Sequence, residues 1–176
     1  AAVRLSVDQQ RHLFSERRPV RVLVVEHEGN RAEAIRRRLA RHPRHYVVRT
    51  ASPTEVIDGR ADVQDVDVVL VGVGAEPAGL GPLRWLARNA GETAVVALHQ
   101  DADADAGLDV VVTGAQDVLP FAEATAVRLD RVIRSAIARK RAELAALATA
   151  LTDPVTGMAS RAWMLRRLEL AVDHAA

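Results

Sequence analysis

The chain has 176 residues, 49% of them apolar and only 3% aromatic, with a net charge of +1. That is enough for one ordinary domain plus an appendage, with a core built from Val, Leu, Ile and Ala. The absence of cysteine excludes disulfides and thiol chemistry, and the balanced charge gives no global field for nucleic acid or anionic lipid. No apolar run nears the roughly 18 residues of a spanning helix and no leader pattern opens the sequence, so a soluble cytoplasmic protein is expected.

Residues 1–19 show no convincing period and read as an N-terminal arm, with room for a short helix around Val7 to Phe14. V-R-V-L-V-V-E (Val20 to Glu26) is a β-branched run ending in an acid, a buried strand. Asn30 with Glu33 three residues later looks like a capping box opening a helix that turns Ile35 and Leu39 inward. His45 to Ala51 is a second strand, and S-P-T-E (Ser52 to Glu55) is a strong helix start. D-V-V-L-V-G-V-G (Asp67 to Gly74) is a third strand running out at a glycine. Leu80 to Asn89 is helical, stopped by Gly91, and T-A-V-V-A-L-H (Thr93 to His99) is a fourth strand. Residues 102–113 make a weak helix, because Val110 to Val112 prefer strand, and Asp117 to Leu119 form a short fifth strand.

Five buried-type strands alternating with helices call for an α/β fold: a doubly wound, flavodoxin-like parallel sheet with helices on both faces. Ligands in such sheets gather beyond the carboxyl ends of the strands. Here those ends carry Glu26-His27-Glu28, Gly72, His99 and Pro120-Phe121.

From Phe121 to Leu151 there is no Gly or Pro. A helix of that span is about 46 Å long at ~1.5 Å per residue, too long for a five-stranded sheet, so its second half should project. Ile133, Lys140 and Leu147 at one heptad position and Ile137, Leu144 and Leu151 at the other fit a two-chain coil seam. An amphipathic helix packed within the chain is the simpler alternative.

V-L-V-V-E (Val22 to Glu26), D-V-V-L-V (Asp67 to Val71), Gly79-Leu80, G-A-Q-D (Gly114 to Asp117) and R-V-I-R-S-A-I-A-R-K-R (Arg131 to Arg141) occur in order and at suitable spacing. Together they resemble the receiver domain of bacterial response regulators over roughly residues 20–139. L-T-D-P-V-T-G-M-A-S-R (Leu151 to Arg161) is similar to the opening of GGDEF domains, which make cyclic di-GMP. Asp153, Thr156, Gly157 and Arg161 match that motif, whereas Ser160 stands where the family usually has a guanine-contacting Asn. No G-G-D-E-F or G-G-E-E-F sequence occurs in the chain. Residue chemistry alone reads this stretch as a helix stop at Asp153-Pro154, a turn at Thr156-Gly157, and a short amphipathic helix over residues 159–172. The implied organisation is an arm (1–19), a receiver-like domain (20–135), a projecting signalling helix (136–152) and the start of a GGDEF-like domain (153–176).

A receiver accepts a phosphoryl group on an Asp ending the third strand; a carboxylate is needed because the product is an acyl phosphate. Acids at the end of the first strand hold Mg²⁺, and a hydroxyl after the fourth strand and a Lys after the fifth meet the phosphoryl oxygens. The matching positions here are Gly72, Glu26-His27, His99 and Phe121. All four roles are altered, with Glu76 the one nearby acid able to stand in. The resemblance therefore implies a degenerate receiver with no catalytic residue, no metal and no cofactor. It would act through protein contacts, as a homodimer through its last helices or with a signalling partner.

Three other readings stay open. Glu26, His27, Glu28, His99 and Asp101 are donors that suit zinc or a pH-sensing pair. The arginines of the first helix (Arg31, Arg36, Arg37, Arg38, Arg41, Arg44) and the basic run Arg128 to Arg141 suit an acidic partner or RNA, although a solvated face explains them and nucleic acid is not expected. Asp101 to Asp105 read as a solvated loop entering a helix.

Overall fold

The computed structural model describes residues 18–74, 80–99 and 113–151. Residues 1–17 of the arm, Glu76, Asp101 to Asp105, residues 102–112 of the weak helix and the GGDEF-like motif (Asp153, Thr156, Gly157, Ser160, Arg161) lie outside them. The chain divides into two compact units with the break between Ile137 and Ala138.

In the first unit the strands are β1 (Val20–Val25), β2 (Tyr46–Ala51), β3 (Val68–Val73), β4 (Ala94–His99) and β5 (Asp117–Pro120). They form one sheet in the order β2-β1-β3-β4-β5, parallel at every pairing. The helices are α1 (Gly29–Ala40), α2 (Pro53–Ile57), α3 (Gly81–Asn89) and α4 (Ala126–Leu151). This is the flavodoxin-like doubly wound fold that the alternating pattern predicts. Among the described residues no helix is long and apolar enough to cross a membrane.

Alternation along the strands splits the core in two. Val22, Val24, Val68, Leu70, Val96 and Leu98 pack with Ile35 and Leu39 of α1 and Leu129, Ile133 and Ala136 of α4. Leu23, Val25, Val69, Val71, Val73, Val95 and Ala97 pack with Val56 of α2 and Leu83 and Leu86 of α3. The central strands are covered on both sides, which is why they read as continuous apolar runs. Truncating a fully buried Leu such as Leu70 in this layer costs about 2–5 kcal/mol.

Local chemistry fixes several boundaries. The Ser52–Glu55 capping box forms as predicted, with Ser52 N–H donating to Glu55 Oε2 at 2.7 Å and Glu55 N–H to Ser52 Oγ at 3.3 Å. The Asn30–Glu33 box does not form. Glu28 is the N-cap of α1, and Glu33 instead accepts from Arg36 and Arg37. Two guanidiniums one turn away outcompete a backbone N–H for that carboxylate.

The segment predicted as one helix from Phe121 is interrupted. Phe121–Glu123 form a single 3-10 turn, and α4 begins at Ala126. Thr125 creates the break by accepting the Arg128 N–H at 3.3 Å, an N-cap that composition alone does not reveal. The seam expectation also needs correcting at its first position. Ile133 is fully buried in the chain's own core, and Ile137 packs partly against that core. The inward stripe of α4 over the sheet (Leu129, Ile133, Ala136) uses these positions before any second chain can.

In the second unit, Lys140 pairs with Glu143 at 3.8 Å, Leu144 is half-buried and Leu147 is exposed.

Candidate functional site

The carboxyl ends of β1, β3 and β4 bring Glu26 and Gly72 together but place His99 differently. Gly72 is in register with Leu98, on the α1–α4 side of the sheet. His99 is in register with Val73, on the α2–α3 side.

Glu26 follows β1 and is buried, with 9% of its surface exposed. Its carboxylate lies over Gly72. A Cβ added to Gly72 would stand 2.1 Å from Glu26 Oε2, 2.5 Å from Cδ and 2.7 Å from Oε1. Glu26 Oε1 also accepts the His27 N–H at 3.0 Å, which compensates part of the cost of burying the charge. The His27 side chain itself is exposed. Gly72 is therefore more than a missing side chain: its missing volume is where the neighbouring strand's acid sits.

His99 is nine-tenths buried, and among the described residues its Nδ1 has no hydrogen-bond partner. Phe121, half-buried after β5, has two guanidiniums of α1 over its ring, with Arg31 Cζ 5.3 Å and Arg38 Cζ 5.1 Å from the centroid. Arg38 Nη1 also donates to the Phe121 carbonyl at 3.3 Å. Arg31 pairs with Glu28 at 3.2 Å. Much of the basic cluster on α1 is thus already engaged within the chain.

These residues do not fit a divalent cation of the kind the resemblance implies. A hard cation takes six or more oxygens. Gly72 offers no side-chain oxygen, Glu26 is turned toward Gly72, and among the described residues no three His, Asp or Glu side chains converge. The proposed ion site from Glu26, His27, Glu28 and His99 is accordingly not assembled among the described residues.

A second polar centre was not legible as such in the sequence. Asp130 on α4, 5% exposed, accepts from Tyr46 Oη at 2.7 Å, Arg44 Nε at 3.1 Å and Arg134 Nε at 2.8 Å, with His42 Nδ1 at 3.6 Å. Burial alone would raise the Asp130 carboxyl. The hydrogen bonds from Tyr46 and Arg134 outweigh it and hold the group below the usual carboxylate range. The available signal was an acid set inside an inward stripe, next to Leu129 and one turn before Ile133.

Solved structures similar to this chain include several receiver domains. The fold is that of a receiver domain. A response regulator receiver domain from Clostridium thermocellum is 27% identical, with a TM-score of 0.57 over 69% of this chain and 97% of the other. The signal receiver domain of a modulated diguanylate cyclase from Desulfovibrio desulfuricans is 20% identical, with a TM-score of 0.57 over 72% of this chain and 99% of the other. The response regulator domain of Thermotoga maritima CheB is 20% identical, with a TM-score of 0.54 over 68% and 97%. No family model and no curated protein matches the sequence.

Proposed function

We propose that the chain is a receiver-like signalling module that works by protein contact and does not accept a phosphoryl group. The observation that carries this reading is the Glu26 carboxylate lying in the space over Gly72. An acyl phosphate needs a carboxylate at the acceptor position and a metal to neutralise the crowded charge. At this strand end the acceptor position has no side chain, and the acid that would hold the metal fills the gap. Phe121, in contact with the Arg31 and Arg38 guanidiniums, stands at the position where the resemblance puts a cation against the phosphoryl oxygens.

The contact surface we assign is the outer part of α4, with a second copy of the chain as partner. Lys140, Leu144, Leu147 and Leu151 continue the heptad once Ile133 and Ile137 are given to the core. The likeness of Leu151 to Arg161 to a GGDEF opening makes the module the regulatory front of a GGDEF-type protein. This is in keeping with a structural neighbour that is the receiver domain of a diguanylate cyclase.

The test is incubation with Mg²⁺ and either acetyl phosphate or beryllofluoride, read by intact-mass spectrometry and ¹⁹F NMR. No stoichiometric adduct is expected, and one would overturn the reading. Sedimentation of the same chain over a concentration series should show a dimer that Leu147→Asp dissociates; a strict monomer would remove the coil.

A further inference from the structure

We propose that the space over Gly72 is a carboxylate-binding niche, which Glu26 fills in cis. The proposal rests on the reading of this strand end as a site without an acceptor, and it deepens that reading: the site is satisfied by a tethered group.

The dimensions support this. A Cβ on Gly72 would lie 2.1 Å from Glu26 Oε2 and 2.5 Å from Cδ. An aspartate would carry its carboxylate carbon one bond, about 1.5 Å, beyond that Cβ. The Glu26 carboxylate thus occupies the shell of space that a carboxylate rooted on β3 would take. It arrives from β1 and carries its own donor, the His27 N–H at 3.0 Å. It is also buried, with 9% of the residue exposed. A carboxylate leaves water at that cost only where its surroundings accept the charge. The niche is therefore suited to the carboxylate group as a chemical class, and glycine at position 72 is the condition for its existence.

If so, removing the tethered group makes the niche a receptor for a free one. Thermal unfolding of the full chain is followed with sodium formate against sodium chloride at matched ionic strength. Three proteins are compared: the native chain, Glu26→Gly, and Glu26→Gly with Gly72→Ala. A saturable, formate-dependent rise of several degrees in Tm is expected for Glu26→Gly alone, because in the double variant the added methyl fills the niche. An equal response in all three, or none in Glu26→Gly, would overturn the proposal.

A second measurement covers the case in which Glu26→Gly does not fold. Gly72→Ala in the otherwise native chain must expel the Glu26 carboxylate. Its Tm should fall, and Glu26 should become reactive toward a water-soluble carbodiimide with glycinamide, read by peptide mass spectrometry. Unchanged Tm and unchanged labelling would overturn the niche. A beryllofluoride adduct on the native chain would strike the phosphorylation-independent reading while leaving both of these results standing.

Discussion

The Tyr46 hydroxyl donates a 2.7 Å hydrogen bond to Asp130 Oδ1, joining β2 to α4 across 84 residues of sequence. The contact fixes the start of α4 against the edge of the sheet. Asp130 is also held by Arg44 and Arg134, so its carboxylate has partners from the α1–β2 corner, from β2 and from its own helix. Tyr46→Phe removes one donor from a carboxylate that keeps the others, and should cost about 1–2 kcal/mol. Asp130→Ala removes the acceptor for all of them. Arg134, 56% exposed, finds water when freed, but the Tyr46 hydroxyl is left buried, and the expected cost is about 2–3 kcal/mol. Urea unfolding of each single variant and the double variant gives the coupling; additive costs would contradict a shared network.

The same carboxyl sets an acid limb of stability. Its folded-state pKa lies below the ordinary value of about 3.9, since the hydrogen bonds outweigh burial. A depressed acid contributes stability above its unfolded pKa and loses it as the pH falls through the folded one. The native chain should therefore lose stability below about pH 4 more steeply than Asp130→Asn, as read by unfolding free energy against pH.

Tyr46 gives the matching alkaline signal. Burial raises its phenol well above the usual range, and the hydrogen bond to Asp130 raises it further. A raised pKa means stability that is complete below the unfolded value of about 10 and lost as the pH climbs through the folded one. Tyr46 is the chain's single tyrosine, so tyrosinate absorbance reports this residue alone. It should not titrate near pH 10 while the chain is folded. In Asp130→Asn it should titrate at lower pH than in the native chain.

Gly114 and Gly91 separate two costs of glycine replacement. Both have positive φ, 116° and 57°. Gly91 faces open space, so Gly91→Ala should cost only about 1 kcal/mol for its left-handed backbone. A Cβ at Gly114 would lie 2.7 Å from the Cβ of Ala87, which has no flexible end to move aside. Gly114→Ala should cost about 3 kcal/mol, and Ala87→Gly in the same chain should recover the collision but not the backbone strain.

Much of the fold was legible because its signals are local. The runs of β1, β3 and β4 have the unbroken apolar character of a doubly covered strand, and Ser52-Pro53-Thr54-Glu55 contains its whole cap within four residues. The start of α4 was misplaced because Thr125 acts through a hydrogen bond that does not disturb the apolar period. Ile133 fitted a heptad and a core stripe equally well, since both repeat near 3.5 residues; only the sheet beneath it decides. At the site, Gly72 was readable as a strand end without a side chain. The position of Glu26 was not, because it depends on how closely two neighbouring strand ends approach. Asp130 was hidden for the same reason: its partners Arg44 and Tyr46 are distant in sequence and adjacent only once β2 and α4 are in place.

The Glu26–Gly72 pair also bears on how such a chain can change over generations. Aspartate at position 72 is sterically inadmissible while Glu26 keeps its place, and a shorter residue at position 26 leaves a hole while Gly72 remains. A larger residue at position 72 must therefore turn the Glu26 side chain out, and a shorter one at position 26 opens the space over Gly72, so a change at either position is felt at both. The two neighbouring strand ends thus behave as one packing unit, and substitutions at positions 26 and 72 should be coupled rather than additive.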